Sequence, residues 1–324
     1  MLMNLRPAIG AIINAEMWLF LCLNLVCLYC MRRGRLYANK DNPAYVITTF
    51  NLLSETCQLL VHVIYVGPSI FLGDWIFDGQ ESLGVTVVAT WFLGFWYLGS
   101  FIQVLMAANR MCVVFLPGNK VLTHGRILAI GIIMFLLALV CVIYSQLLSP
   151  CCRITPDQRY YAYSYLIFKN MTENPSMKYI DLPIDFTTSI ICATSYCALF
   201  FYVYRMEKGE QGRKKREIRL CIQFLIMFLA YTVTWSTFFL FPKLGITIPE
   251  PYMITTVVFM ANCGVNGVIY LTMNKEIKFE LQKMIGKVSP SAVYHSTTHR
   301  HPACPSQSQP DSNPASQIIP TNFQ

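Results

Sequence analysis

The stretch Ala107-Ala108-Asn109-Arg110-Met111 lies where a long apolar segment of the chain ends. The segment begins near Gly84 and carries no charged residue before Arg110. It is therefore longer than the roughly 20 apolar residues that a membrane-spanning helix needs. An arginine at the mouth of such a helix is costly to bury and becomes a candidate functional residue. The fold depends on how many comparable segments accompany this one.

The composition is that of an integral membrane protein. Of 324 residues, 55% are hydrophobic and 13% are charged, whereas a soluble domain carries about 25% charged residues. The mean hydropathy is +0.45. The net charge of +8 does not indicate a nucleic-acid partner, because the basic residues are spread over short segments between apolar runs.

Seven runs are long and apolar enough to span a bilayer. Only Glu16, Glu55 and Asp185 place a charge inside them. No signal-peptide pattern precedes the first run, and its length suits a membrane anchor. We therefore predict an all-α membrane protein, a bundle of seven transmembrane helices. The predicted spans are 9–31, 44–67, 84–108, 127–148, 183–204, 220–241 and 252–273.

Basic residues predict the orientation, because cytoplasmic loops carry an excess of Lys and Arg. The segments after spans one, three, five and seven hold 19 of the 25 Lys and Arg residues. The amino terminus is therefore predicted outside and the carboxyl terminus inside. Asn170-Met171-Thr172 is a glycosylation acceptor in the longest outer loop, in agreement with this topology.

The chain divides by composition into a membrane domain, 1–285, and a tail, 286–324. The tail is rich in Ser, Pro, Gln and His, so it is predicted to be a disordered cytoplasmic segment. Before it, Lys275–Ile285 places Ile277, Leu281 and Met284 on one face. We predict a short amphipathic helix after the seventh span, with its lysines on membrane lipid.

Two aromatic faces are candidates for a ligand pocket. Phe92 and Trp96 recur at helical spacing on the outer half of span three, and a stripe on span six adds three more aromatic residues. Such a pocket is typical of small-molecule sites, although helix packing explains the same pattern. The span-six candidates are Tyr231, Trp235 and Phe238.

The inner halves of spans three and seven are candidates for a conformational switch. Asn262, Asn266 and Tyr270 lie four residues apart on span seven and form a polar seam that ends near Asn109 and Arg110. Amides in lipid need hydrogen-bond partners, so the seam predicts a polar network between helices. The alternatives are a static packing role for the seam and an ordinary positive-inside anchor for Arg110.

Carboxyl groups and cysteines supply further candidates. Glu55 lies midway along span two, where an intramembrane acid indicates a cavity or an ion or proton site. Asp185, near the outer end of span five, either contacts a ligand or faces water, and water is the preferred expectation. In the tyrosine-rich outer loop 149–182, which could cover a ligand opening, Cys151 and Cys152 form either a vicinal bridge or free thiols.

Catalytic and metal motifs are absent from the sequence. There is no HExxH, GxSxG or GxxxxGK pattern, and three of the five histidines fall in the tail. The chain is therefore predicted not to be an enzyme, and to use neither a cofactor nor a metal.

Three motifs together resemble the nematode serpentine receptors of class X, a chemoreceptor family within the G-protein-coupled receptors. The similar segments are Asn109-Arg110-Met111-Cys112-Val113-Val114-Phe115-Leu116-Pro117, Arg219-Leu220-Cys221-Ile222-Gln223 and Gly267-Val268-Ile269-Tyr270-Leu271-Thr272-Met273-Asn274-Lys275-Glu276-Ile277-Lys278. The chain departs from rhodopsin-like receptors in three ways. Arg110 has no acidic neighbour, and Gly267 follows Asn266 where those receptors have proline. No cysteine lies at the start of span three.

The resemblance implies a rhodopsin-like bundle that binds a small molecule or peptide from outside and activates a heterotrimeric G protein. It also implies the plasma membrane, including the cilium of a sensory neuron. Two other classes stay open at this stage. One is a ligand-gated channel or transporter that uses Glu16 and Glu55, and the other is a membrane scaffold without a small-molecule ligand.

Overall fold

Seven long helices dominate the computed structural model, which describes residues 6–40, 42–116, 121–149, 151–168, 173–205, 211–246 and 248–287. For 211–217, 219 and 220 only the backbone is described. Within these ranges seven helices are long and apolar enough to cross a membrane, which confirms the predicted spans. Spans one to seven are Arg6–Arg33, Ala44–Leu72, Leu83–Phe115, His124–Leu148, Met177–Arg205, Cys221–Lys243 and Tyr252–Met273.

Three spans contain a wider π turn. In span two, Ala44–Val61 is followed by the π turn His62–Val66 and the helix Gly67–Leu72. Span four is the helix His124–Ile143 with a π turn at Tyr144–Leu148, and span five is a π turn at Met177–Asp181 followed by Leu182–Arg205. These turns lie at the outer ends of the spans, close to the cavity described below. Wider turns are frequent at functional sites.

Most helices are longer than the hydrophobic pattern predicts, and those that contain spans three and six extend farthest. Span three continues to Phe115 rather than to 108, so Arg110 lies inside the helix and not beyond it. The helix that contains span six begins at Gln211. Apolar composition reports only the length of the membrane crossing, whereas a helix continues into water wherever its residues tolerate helical geometry. The first turn of span three is capped by Ser82, whose hydroxyl accepts from Val85 N at 3.3 Å.

Spans two and seven lie at the centre of the bundle and span four lies at its edge. In their most apolar windows, 67% of the residues of spans two and seven are buried, against 22% for span four. Span four accordingly exposes Ile133, Leu136 and Val140. Lipid solvates such side chains, so their exposure needs no partner in the protein. The polar residues of spans two and seven instead face other helices.

The outer loop adds a β-hairpin to the predicted all-α class. Strand β1, Cys152–Asp157, pairs antiparallel with β2, Ala162–Ile167, with Cys152 opposite Ile167. The turn places Tyr161 in the left-handed region at φ 56°. Cys151 and Cys152 form a vicinal disulfide, which decides between the two alternatives for these residues.

The chain divides into Met1–Leu281 and Gln282–Gln324. The amphipathic helix is present as Lys275–Met284. Asn274 caps it, because its Oδ1 accepts from Glu276 N at 3.0 Å and from Ile277 N at 3.1 Å. Ile277 is fully buried in a cluster with Cys27 and Tyr270, so one face of this helix is anchored to the bundle.

Candidate ligand cavity and inner polar network

A cavity opens in the outer half of the bundle, between spans two, three, five, six and seven and the hairpin. It encloses about 570 Å³ of empty space, a figure that includes the open solvent at its mouth. Concave sites between the helices of a bundle are preferred positions for small-molecule ligands. Eight of its seventeen lining residues are aromatic. The aromatic residues are Phe92, Trp96, Tyr163, Tyr165, Trp235, Phe238, Phe239 and Phe259.

Four of the five predicted pocket residues lie on this wall: Phe92, Trp96, Trp235 and Phe238. The fifth, Tyr231, lies behind it and stacks on Trp96 with ring centroids 5.3 Å apart. Helical spacing correctly placed these residues on one face of each span. It did not tell which of them reach open space, because that depends on the neighbouring helices.

The hairpin forms part of the cavity wall. Tyr163 stacks on Phe92 with centroids 3.9 Å apart, and Tyr165 donates to Asp181 Oδ2 at 2.5 Å. Thr256 of span seven donates to the Tyr161 carbonyl, which ties the hairpin turn to the bundle. The tyrosine-rich loop therefore lies against the cavity. That it covers a ligand opening stays a prediction.

Burial favours the neutral form of the hairpin phenols. It raises the pKa of both Tyr163 and Tyr165 well above the usual value for tyrosine. For Tyr165 the nearby charge of Asp181 raises the pKa further. A neutral phenol can donate a hydrogen bond, so both groups are donors at physiological pH.

Asp185 does not face water, and this prediction was wrong. It is 2% exposed and lines the cavity. Its Oδ1 accepts from Trp96 Nε1 at 3.1 Å and from the Tyr231 hydroxyl at 2.7 Å. The residue lies two turns inside the helix because span five begins at Met177, six residues before the predicted 183. The hydrophobic pattern had placed Asp185 at the membrane surface.

A second buried carboxyl, Asp181, was missed by the sequence reasoning. It is 5% exposed, lines the cavity, and accepts hydrogen bonds from the hydroxyls of Tyr97 and Tyr165. The available signal was its position four residues before Asp185, which puts both carboxyls on one face of a helix. The loop assignment of 149–182 hid that spacing.

His62 of span two is also on the cavity wall. Its Nδ1 lies 2.8 Å from the Gln58 carbonyl. Because a carbonyl only accepts, Nδ1 carries the proton of this bond. The ring stacks on Phe259 with centroids 4.6 Å apart. Histidine and aromatic rings from three spans and the hairpin thus form one continuous surface.

The inner half of the bundle contains a polar network around Glu55. This residue is 5% exposed and accepts from Asn51 Nδ2 at 2.8 Å and from Asn266 Nδ2. The network joins span two to span seven. Farther inward, the Tyr45 hydroxyl donates to Asn274 Oδ1 at 3.3 Å across the same pair of spans.

Span one makes a close contact with span seven near this network. Asn24 is fully buried and donates to the Cys263 carbonyl at 2.9 Å. A Cβ on Gly267 would lie 2.4 Å from Asn24 Oδ1. Glycine at 267 therefore lets the Asn24 amide approach the backbone of span seven.

Arg110 lies near the inner end of span three, with its guanidinium over the Phe224 ring of span six at 4.7 Å from the centroid. Neighbouring Asn109 is 5% exposed. On span seven, Asn262 and Tyr270 are buried, with 8% and 6% of their surface exposed, and Asn266 donates a hydrogen bond to Glu55. Of the predicted switch residues, Asn109 and Arg110 thus lie near the inner end of span three, and Asn262, Asn266 and Tyr270 lie on the middle and inner part of span seven.

The model of the serpentine type seven-transmembrane GPCR chemoreceptor Srx family matches residues 20–274. The chain belongs to this family. The crystal structure of squid rhodopsin is similar to the receptor, with a TM-score of 0.65, 15% sequence identity and 93% of each chain covered. At that identity the likeness shows a shared rhodopsin-like fold. No curated protein matches the receptor.

The receptor is therefore a multi-pass membrane protein of a signalling family. Its vicinal Cys151–Cys152 bond occupies both outer-loop cysteines, so neither forms a bridge to span three. Among the described residues no group of three or more His, Cys, Asp or Glu side chains has the arrangement of a metal site. The predicted glycosylation site Asn170, the loop residues 206–210 and the tail 288–324 lie outside the described residues.

Proposed function

We propose that this receptor binds a small molecule in the outer cavity and passes the signal to a heterotrimeric G protein at the inner face around Arg110. The main support for this proposal is the aromatic cavity between five spans and the hairpin. A lining of aromatic and aliphatic side chains with a few polar groups favours a small molecule as the ligand.

Ligand binding changes signalling only if the two helix arrangements differ in their affinity for the ligand. Span three carries both ends of the proposed path, with Phe92 and Trp96 on the cavity and Arg110 at the inner end. Tyr231 of span six connects the cavity wall to span three, since its hydroxyl lies 2.7 Å from Asp185 Oδ1 and 2.9 Å from Ser100 Oγ. A ligand that displaces this hydroxyl alters the contact between spans three, five and six.

The inner end of the path consists of Asn109, Arg110, Asn262, Asn266 and Tyr270, together with the intramembrane acid Glu55. We assign to them the switch and G-protein coupling. The amphipathic helix Lys275–Met284 supports contact with anionic membrane lipid, since it bears exposed lysines beside the anchored Ile277. The family supports the plasma membrane of a sensory cell, including its cilium, as the working location.

The proposal is tested with a matched pair of substitutions on span seven. Thr255 lines the cavity and is 6% exposed, whereas its neighbour Ile254 is 49% exposed on the lipid side. Cells that express the receptor are screened with a chemically diverse set of small molecules, and both second messenger and membrane current are recorded. Thr255→Phe fills the cavity and should abolish the response, while Ile254→Phe should preserve it.

Surface expression of both variants is measured by labelling intact cells. A wild-type response from surface-expressed Thr255→Phe would remove the cavity as the ligand site. A ligand-evoked current that persists in cells without G proteins would favour the channel or transporter alternative.

A further inference from the structure

The carboxyl groups on the wall of the outer cavity can carry only negative charge, and no basic side chain among the described residues balances them. Spans two, three, six and seven and the hairpin contribute His62, aromatic rings, threonines and aliphatic side chains, and span five contributes the carboxyls of Asp181 and Asp185. Neither lysine nor arginine is among the described residues on the wall. The cavity therefore offers two acids and no fixed cation to a ligand.

All described hydrogen bonds to these carboxyls come from neutral donors. Asp185 accepts from Trp96 and Tyr231, and Asp181 accepts from Tyr97 and Tyr165. In the described part of the chain neither carboxyl forms a salt bridge. A buried carboxylate without a counter-ion is unfavourable, and an incoming cation offsets that cost.

Neutral donors hold the carboxyl of Asp185 on the cavity wall. Trp96 and Tyr231 donate to Oδ1, and Ser100 is a further hydrogen-bond partner of the carboxyl. The carboxyl is thus fixed in one orientation beside the open space of the cavity. Asp181 lies one helical turn toward the outside and interacts electrostatically with Asp185.

Two buried hydroxyls on the same wall lack a partner. Thr255 Oγ1 and the Tyr163 hydroxyl have no hydrogen-bond partner among the described residues. Both residues are buried, with only 6% and 8% of their surface exposed. Buried hydroxyls are normally bonded, so these two groups point to an occupant that carries donors or acceptors. They are independent of the two carboxyls, because they lie on span seven and on the hairpin.

The aromatic wall suits a positive charge as well. The face of a tryptophan, tyrosine or phenylalanine ring attracts a cation within about 6 Å of its centroid. Trp96, Tyr165 and Phe238 all line the cavity with the carboxyls. A carboxylate beside aromatic faces is a favourable environment for an ammonium group and an unfavourable one for a carboxylate or phosphate.

We propose that the outer cavity takes a small organic cation, an amine whose ammonium group is bound by the Asp185 carboxyl and whose hydrocarbon part lies against the aromatic wall. This inference rests on the proposed function, since it names the ligand class of the same cavity. Thr255 and Tyr163 then hydrogen bond to the remaining polar groups of the ligand, and Asp181 adds a second negative charge.

The test uses purified full-length receptor in lipid nanodiscs and a panel of matched compounds. The butyl, cyclohexylmethyl and 2-phenylethyl skeletons are each supplied as the amine, the alcohol and the carboxylate. Binding is measured by the shift in thermal unfolding temperature at increasing concentration. At least one amine should stabilise the receptor more strongly than its alcohol, and the carboxylates should not stabilise it.

Two carboxyl variants sharpen the result. Asp185→Asn removes the charge and should weaken amine binding by about 30-fold or more, with little change for the alcohol. Glu16→Gln is the matched control, because Glu16 is a membrane carboxyl of span one that does not line the cavity. It should bind the amines as the wild type does.

The wild-type panel alone can overturn the proposal, so the result does not depend on the folding of any variant. The cation assignment fails if no amine binds, if alcohols or carboxylates bind as tightly as amines, or if Asp185→Asn keeps the preference for the amine. Binding to Thr255→Phe distinguishes a wrong ligand class from a wrong ligand site. If alcohols or carboxylates bind and Thr255→Phe abolishes that binding, the cavity is a ligand site of another class.

Discussion

The outer and inner halves of the receptor both bury carboxyl groups, but they surround them differently. In the outer half, Asp185 is held by the side chains of Trp96 and Tyr231 and borders open space. In the inner half, Glu55 is held by the amides of Asn51 and Asn266 and does not line the cavity. The same type of group thus faces a ligand site in one half and joins two helices in the other.

The side chains that surround each carboxyl explain this difference. Amides in the middle of two packed helices leave no room, so Glu55 acts as a link between spans two and seven. The aromatic donors around Asp185 are large and leave a gap between five spans and the hairpin. We therefore expect substitutions in the inner half to alter signalling or stability, and substitutions in the outer half to alter ligand binding.

The largest effect is expected for Arg110→Ala. Removal of the guanidinium also removes its contact with Phe224 and should abolish the ligand-evoked second messenger, with ligand binding retained. The measurement is the second-messenger response at matched surface expression. Arg126→Ala is the control, because Arg126 lies at the inner start of span four and contacts the Val121 carbonyl at 2.8 Å. An undiminished response in Arg110→Ala would reduce this residue to a positive-inside anchor.

Glu55→Ala is expected to cause the largest loss of stability. It leaves the amides of Asn51 and Asn266 without their acceptor, and each unsatisfied buried group costs about 1–3 kcal/mol. The unfolding temperature of the purified receptor should therefore fall. Glu55→Gln keeps an acceptor oxygen and should cost less. Equal losses for the two variants would contradict a linking role for the acceptor.

Asp157→Ala is expected to have a moderate effect that is confined to the outer half. Asp157 is 1% exposed and accepts from the side chains of Arg159 and Ser164, at 2.8–3.0 Å. Loss of these bonds loosens the hairpin that forms the wall, so a bound ligand should dissociate about tenfold faster, equivalent to about 1.4 kcal/mol.

The measurement for Asp157→Ala is the dissociation rate of a ligand found in the screen. Asp78→Ala, at an exposed position in the first outer loop, is the control and should leave that rate unchanged. A slower second messenger at an unchanged dissociation rate would instead connect the hairpin to the inner half.

The smallest effect is expected for Lys178→Ala. Its 2.8 Å ion pair with Glu173 is exposed, and it lowers the pKa of the Glu173 carboxyl. Exposed pairs contribute little because water and salt screen them. Neither the unfolding temperature nor ligand binding should change measurably. A clear decrease in either would show that the start of span five depends on this pair.

The amino-acid pattern predicted the spans more reliably than their ends. Seven apolar runs were all found as helices, yet span three ends at Phe115 and span five begins at Met177. Those shifts moved Arg110 into a helix and Asp185 into the bundle. The hairpin was missed because its strands, Cys152–Asp157 and Ala162–Ile167, are held by pairing and by contacts with the bundle.

By itself the sequence determined the membrane class, the seven spans, the orientation and the polar or aromatic faces of spans three, six and seven. These properties depend on local composition and on the 3.6-residue repeat of a helix. Only the tertiary structure decided that Asp181, Asp185 and His62 share a cavity, that Glu55 bonds to Asn266, and that Tyr163 covers Phe92. Such contacts depend on which helix faces meet across the bundle, and that arrangement is set by the packing of all seven spans together.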